Sequence, residues 1–92
     1  MLYPFMTLDD DTEIVHSGPQ IIDGEERVKV VIEKPVEGGF HSAVCWLPHY
    51  TWEKVEGFAD DEIKGYQELL ESVSHVIIAL AREGGFSSAA SF

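Results

Sequence analysis

The chain predicts an α+β domain: an antiparallel β-meander of three to four strands followed by one long C-terminal helix packed on the sheet. Three observations carry this reading. Residues 1–48 read as strands separated by turn chemistry, Arg27 to Glu33 nearly alternates apolar and charged side chains, and residues 60–82 change to a helical period. A chain of 92 residues, 45% of them hydrophobic, can fill one core but not two. Residues 1–92 are therefore expected to form a single domain, with strands within 1–48, a loop at 49–59, the helix at 60–83 and a tail at 84–92.

Leu2, Tyr3, Phe5, Met6 and Leu8 make a short apolar strand, and Asp9-Asp10-Asp11 supplies turn side chains before Thr12-Glu13-Ile14-Val15-His16. Pro4 has no N–H to donate, which places this strand at an edge or starts its pairing only after that residue. Ser17-Gly18-Pro19 is expected to break the second strand, which resumes at Gln20-Ile21-Ile22 before an Asp23-Gly24 turn. Val28, Val30 and Ile32 then share one face of a strand, with Arg27, Lys29 and Glu33 on the other. Pro35 is expected to end that ladder and Glu37-Gly38-Gly39 to reverse the chain. Phe40 to Leu47 returns with two semi-apolar faces, as a central strand does, and Pro48 stops it. His49 to Phe58 shows no sustained period and reads as a loop.

Asp60, Asp61 and Glu62 place three carboxylates on the first turn of a helix, at the positive end of its dipole. Apolar residues follow at Ile63, Tyr66, Leu70, Val73, Ile77 and Leu80, in steps of three and four, widened by Leu69, Val76 and Ala81. Arg82 and then Gly84-Gly85 give the stop. An echo between Val30–Ala43 and Val76–Ala89 is set aside as a repeat, because the helical spacing is unbroken from Ile63 onward.

The formal charge of −11 repels nucleic-acid backbone and anionic lipid, so direct nucleic-acid binding is not expected. No apolar stretch of ~20 residues spans a bilayer, and one cysteine cannot form an internal disulfide, so neither membrane insertion nor an oxidising compartment is expected. The N-terminus lacks a basic region and a long apolar run, which completes a cytoplasmic expectation. Seven acidic residues lie between Asp9 and Glu26 with no lysine or arginine before Arg27. Such a field speeds encounter with a cationic partner.

Asp9, Asp11 and Glu13 have alternate spacing that could gather oxygen ligands, but Ile14 stands where an EF-hand loop needs glycine and Gln20 where it needs glutamate. A solvated turn is the expectation. Cys45 with His41 and His49 offers three zinc-type ligands or a cysteine–histidine nucleophile pair; a buried structural thiol is the competing reading and the one adopted. Glu71 and His75 stand four apart on the helix and read as a solvated face. No catalytic, cofactor or metal residue is therefore assigned. Trp46, His49, Tyr50 and Trp52 cluster beside the loop, where large amphipathic rings either anchor an interface or plug the end of the sheet. Together with Asp9, Asp10, Asp11 and Glu13 they form the candidate protein-binding surface.

The segments LYPFMTLDDDTEIVHS at 2–17, EGGFHSAVCWLPHYTW at 37–52 and GFADDEI at 57–63 resemble a family of small uncharacterised bacterial proteins often found among mobile-element genes. The resemblance covers most of the chain and brings no catalytic residue or ligand with it. The opening LYP, the meander and the acidic helix are also similar to HicB-type antitoxins, which implies a toxin as partner. The compact glycine- and proline-bearing signature of that family is missing here, as is a DNA-binding segment after the helix. Three functions follow as expectations: a non-catalytic module binding a basic protein, a small metal-dependent or cysteine-based hydrolase, and a homodimer built on the helix stripe.

Overall fold

The computed structural model describes residues 1–85. Five strands, β1 (Leu2–Thr7), β2 (Glu13–Ile22), β3 (Glu25–Val36), β4 (Gly39–Leu47) and β5 (Thr51–Glu56), pair antiparallel in the order β1-β2-β3-β4-β5, and α1 (Asp60–Glu83) follows. The α+β class and the meander-then-helix order are as expected. The strand number is five rather than three to four, because Thr51–Glu56, expected within the loop, pairs with β4. Of the expected tail, 86–92 lies outside the described residues.

Three irregularities explain the differences. Ser17-Gly18-Pro19 does not end β2: Ser17 and Gly18 bulge opposite Lys29, and the Ser17 hydroxyl accepts the Lys29 N–H at 2.9 Å. A side chain thus substitutes for a missing ladder bond. Pro35 does not end β3 either, since it lies opposite Phe40 and the pairing runs on to Val36 and Gly39. In β5, Lys54 and Val55 bulge opposite Ala43, with Lys54 in the left-handed region at φ 52°. That bulge breaks the two-residue alternation by which a strand is recognised.

One face of the sheet carries the core. Ile14, Ile32 and Ala43 stand in register on β2, β3 and β4, as do His16, Val30, Cys45 and Trp52 on β2 to β5, and Val28 opposes Leu47. All of these except Trp52 are almost inaccessible. The helix stripe closes over them through Leu70, Ile77 and Ala81, flanked by half-buried Ile63, Tyr66, Leu69, Val73 and Ile78. Each fully buried Val, Leu or Ile side chain contributes on the order of 1.5–3 kcal/mol. The sheet takes the Leu70, Ile77 and Ala81 part of the stripe, and Val76 is left as an exposed large apolar residue of the helix, at 38%.

Polar contacts tie the helix to the strands. The Trp52 indole donates to Gln67 Oε1 at 3.0 Å, Tyr50 Oη donates to Ser74 Oγ at 3.0 Å, and Arg82 Nε donates to Glu26 Oε1 at 2.9 Å. At the helix start Ala59 is the N-cap, and its N–H is met by Glu62 Oε1 at 2.9 Å. This is the returning half of a capping box. At the end, the Gly85 N–H reaches Leu80 O at 2.7 Å, which closes the last turn. No helix among the described residues is long and apolar enough to cross a membrane.

Candidate functional site

The β1–β2 connection is a built turn. Leu8 N–H donates to Thr12 O at 2.8 Å, Asp11 N–H to Leu8 O at 3.0 Å, and Thr12 N–H to Asp10 Oδ1 at 3.1 Å. Asp11 takes the left-handed conformation at φ 67°, which aspartate tolerates better than most residues. Lys34 Nζ lies 3.5 Å from Asp10 Oδ2. Hydrogen bonding from Thr12, with the Lys34 charge behind it, holds the Asp10 carboxyl below its ordinary range. Asp9 and Asp11 point to solvent beside it. Among the described residues no three His, Cys, Asp or Glu side chains converge in a way that could hold a metal ion.

Beyond this turn Glu13 and Glu33 stand directly opposite each other on β2 and β3. Like charges in such a pair repel. With Thr7, Asp11, Pro35 and Phe40 they line a surface hollow of about 410 Å³. On the other side of the molecule Asp60, Glu68 and Glu71 border a second hollow along the exposed face of α1. Arg27, Lys34 and Arg82 each meet a carboxylate within the fold, whereas Lys29, Lys54 and Lys64 have no ion-pair partner among the described residues. Most of the 17 acidic residues consequently face solvent unpaired.

The four rings of the aromatic cluster do not share one surface. Tyr50 and Trp52 lie half-buried with their polar atoms bonded to α1. The Trp46 indole projects from the opposite face of the sheet and donates to Glu53 Oε1 at 2.9 Å. His49 is exposed, with Nε2 2.7 Å from Glu25 Oε1. Arg27 and then His49 pull the Glu25 carboxyl below its ordinary range. Of the expected surface, the structure brings together Asp9, Asp10, Asp11 and Glu13 and disperses Trp46, His49, Tyr50 and Trp52.

Cys45 is fully buried, and burial pushes its thiol up to about 12, so almost no thiolate exists near neutral pH. His41 stands four residues away along β4, roughly 13 Å at strand spacing. Its ring packs against Phe58, centroids 5.6 Å apart, and Phe58 against Tyr66 at 5.2 Å. His49 projects elsewhere, so these three side chains form neither a zinc site nor a nucleophile pair. The acidic turn and the helix face present exposed carboxylates.

One residue that sequence reasoning left unassigned sits at the centre of the core. His16 is fully buried, its Nδ1–H donates to Ser17 O at 2.8 Å, and Nε2 has no hydrogen-bond partner among the described residues. Tyr3 and Phe5 flank it at 5.6 and 6.5 Å. The signal was present in the strand period, because His16 shares the face of Ile14 and must point inward with it. No family model matches the chain, and no curated protein and no solved structure is significantly similar to it.

Proposed function

We propose that the chain is a non-catalytic binding module whose partner is a basic protein, met through the acidic β1–β2 turn and the acidic outer side of α1. The observation that carries this reading is the solvent-facing, unpaired state of most carboxylates alongside a core whose one thiol is sealed. Asp9, Asp10 and Asp11 sit on a hydrogen-bonded turn with Glu13 on the adjoining strand, so their charge is presented at fixed positions. A fixed negative field steers a cationic surface and discriminates against anionic ones. Within the resemblance to antitoxins and mobile-element proteins, a basic toxin or nucleic-acid enzyme is the partner class that fits.

The test is retention of host proteins on the immobilised chain at about 50 mM and about 500 mM salt, where the screening length falls roughly threefold. Basic proteins are expected to bind at low salt, to elute at high salt, and to be lost from a variant carrying Asp9→Asn, Asp10→Asn and Asp11→Asn. Retention of no basic protein under either condition, or undiminished retention by the variant, overturns the reading.

A further inference from the structure

The helix covers one face of the sheet, and the register of the strands shows what the other face presents. Val15, Val31 and Val44 stand side by side on β2, β3 and β4, with Pro4 beyond Val15 on β1 and Glu53 beyond Val44 on β5; Val15 and Val31 are half-buried, and Val44 is only 8% exposed, on the face where the Trp46 indole bonds to Glu53. Two residues along each strand in one direction lies a row of Lys29 and Trp46, with Ser17 beside Lys29. In the other direction lies a row of Glu13, Glu33 and Ser42, with Glu56 opposite Ser42 on β5. An apolar row runs through the middle, a cation and a large ring lie on one side, and carboxylates and a small residue lie on the other.

We propose that this uncovered face joins a second copy of the chain about a two-fold axis along the Val15–Val31–Val44 row. A two-fold interface must be self-complementary, because each residue meets what the symmetry places opposite it. Rotation about that row sets Val31 against its twin, Lys29 against Glu33 of the second copy, and Trp46 against Ser42. Cation meets carboxylate twice, and each large ring meets a small side chain. Lys29 has no ion-pair partner among the described residues, and Glu33 stands between Ser42 on β4 and the like charge of Glu13 on β2. One incoming ammonium relieves that repulsion.

The size is sufficient for a specific contact. Five strands at ~4.8 Å and the seven residues from Lys29 to Pro35 at ~3.3 Å give a face of roughly 24 by 20 Å, so two copies cover about 1,000 Å² in total, the lower bound for a stable interface. Sheets stack face to face in this manner at ~10 Å separation. Glu53 lies at the end of the axis and meets its own twin, which opposes association there. Of the surface proposed for a basic partner only Glu13 lies within the contact, while Asp9, Asp10, Asp11 and the outer side of α1 lie outside it, so the dimer does not depend on the binding of a basic partner.

The experiment is sedimentation equilibrium of the isolated chain from tens of micromolar to about 1 mM, with folding of each variant checked by circular dichroism. The wild type is expected to reach a dimeric mass. Lys29→Glu and Glu33→Lys are each expected to weaken association at least about tenfold, and the double variant that exchanges the two charges to restore it to within about threefold. Glu53→Gln is expected to tighten it. Val31→Arg is expected to give a folded monomer. A monomeric wild type throughout, or a dimer insensitive to Lys29→Glu and Glu33→Lys, or a double variant no tighter than the single ones, overturns the proposal. None of these results bears on the basic-partner reading, whose test uses the Asp9–Asp11 turn.

Discussion

At Gly57, between β5 and α1, the backbone holds φ at +87°, and an added Cβ would stand 2.2 Å from the His41 ring. Both the left-handed conformation and the close approach require glycine. Gly57→Ala is expected to destabilise the fold by about 2–4 kcal/mol in urea titration, the sum of conformational strain and displacement of His41 from Phe58. Gly24→Ala, at φ +77° with open space around it, is the control and is expected to cost only the strain, about 1 kcal/mol. Cys45 makes a prediction in pH. Its folded thiol titrates near 12 against an ordinary value of 9.0, so the protonated form favours the fold. That contribution is fully present below pH 9 and is lost as the pH rises from 9 toward 12, at about 1.4 kcal/mol per pH unit for one proton. Chemical denaturation of wild type and Cys45→Ala across that window is expected to show the extra slope in the wild type alone.

The helix divides into a face that holds the domain together and one that does not. Leu70 is inaccessible beneath the stripe, while Val76 is 38% exposed. Leu70→Ala is expected to cost about 2–5 kcal/mol and Val76→Ala less than about 0.5 kcal/mol, read from urea midpoints at constant m. A similar loss at both positions would mean that the helix does not rest on the sheet through this stripe. The helix was legible because a three/four spacing sustained from Ile63 to Ala81, with acidic residues before it and Gly84-Gly85 after it, has few other physical readings. β3 was legible because Val28, Val30 and Ile32 keep strict alternation. β5 was not, because its bulge at Lys54 shifts the period midway and its outer edge meets water, so no apolar run marks it. Ser17-Gly18-Pro19 misled for a related reason: turn chemistry in sequence became a bulge once the Ser17 hydroxyl supplied the bond that the backbone lacked.

Over the whole molecule the acidic turn was legible as a cluster, since a hairpin connection keeps neighbours together. The aromatic cluster was not, because rings six residues apart on adjacent strands can emerge on opposite faces of a sheet. Trp46 and Trp52 do so, one beside Glu53 and the other beneath Gln67. The two associations proposed here share only Glu13 and draw on different forces. The contact with a basic partner is long-range attraction and fades as salt shortens the screening length, whereas the contact between copies is apolar at its centre and must form despite mutual repulsion. The order of the elements has a further consequence during synthesis. Each strand pairs with its chain neighbour, so the ribbon of five assembles by local steps while the 24 residues of α1 are still emerging. Until they arrive, Val28, Val30, Ile32 and Leu47 lie bare on a nascent intermediate of the kind that clumps with its neighbours. Carboxylates strung along the same ribbon repel one another between such intermediates, so the charge excess proposed to draw in a basic partner also opposes clumping of the unfinished chain.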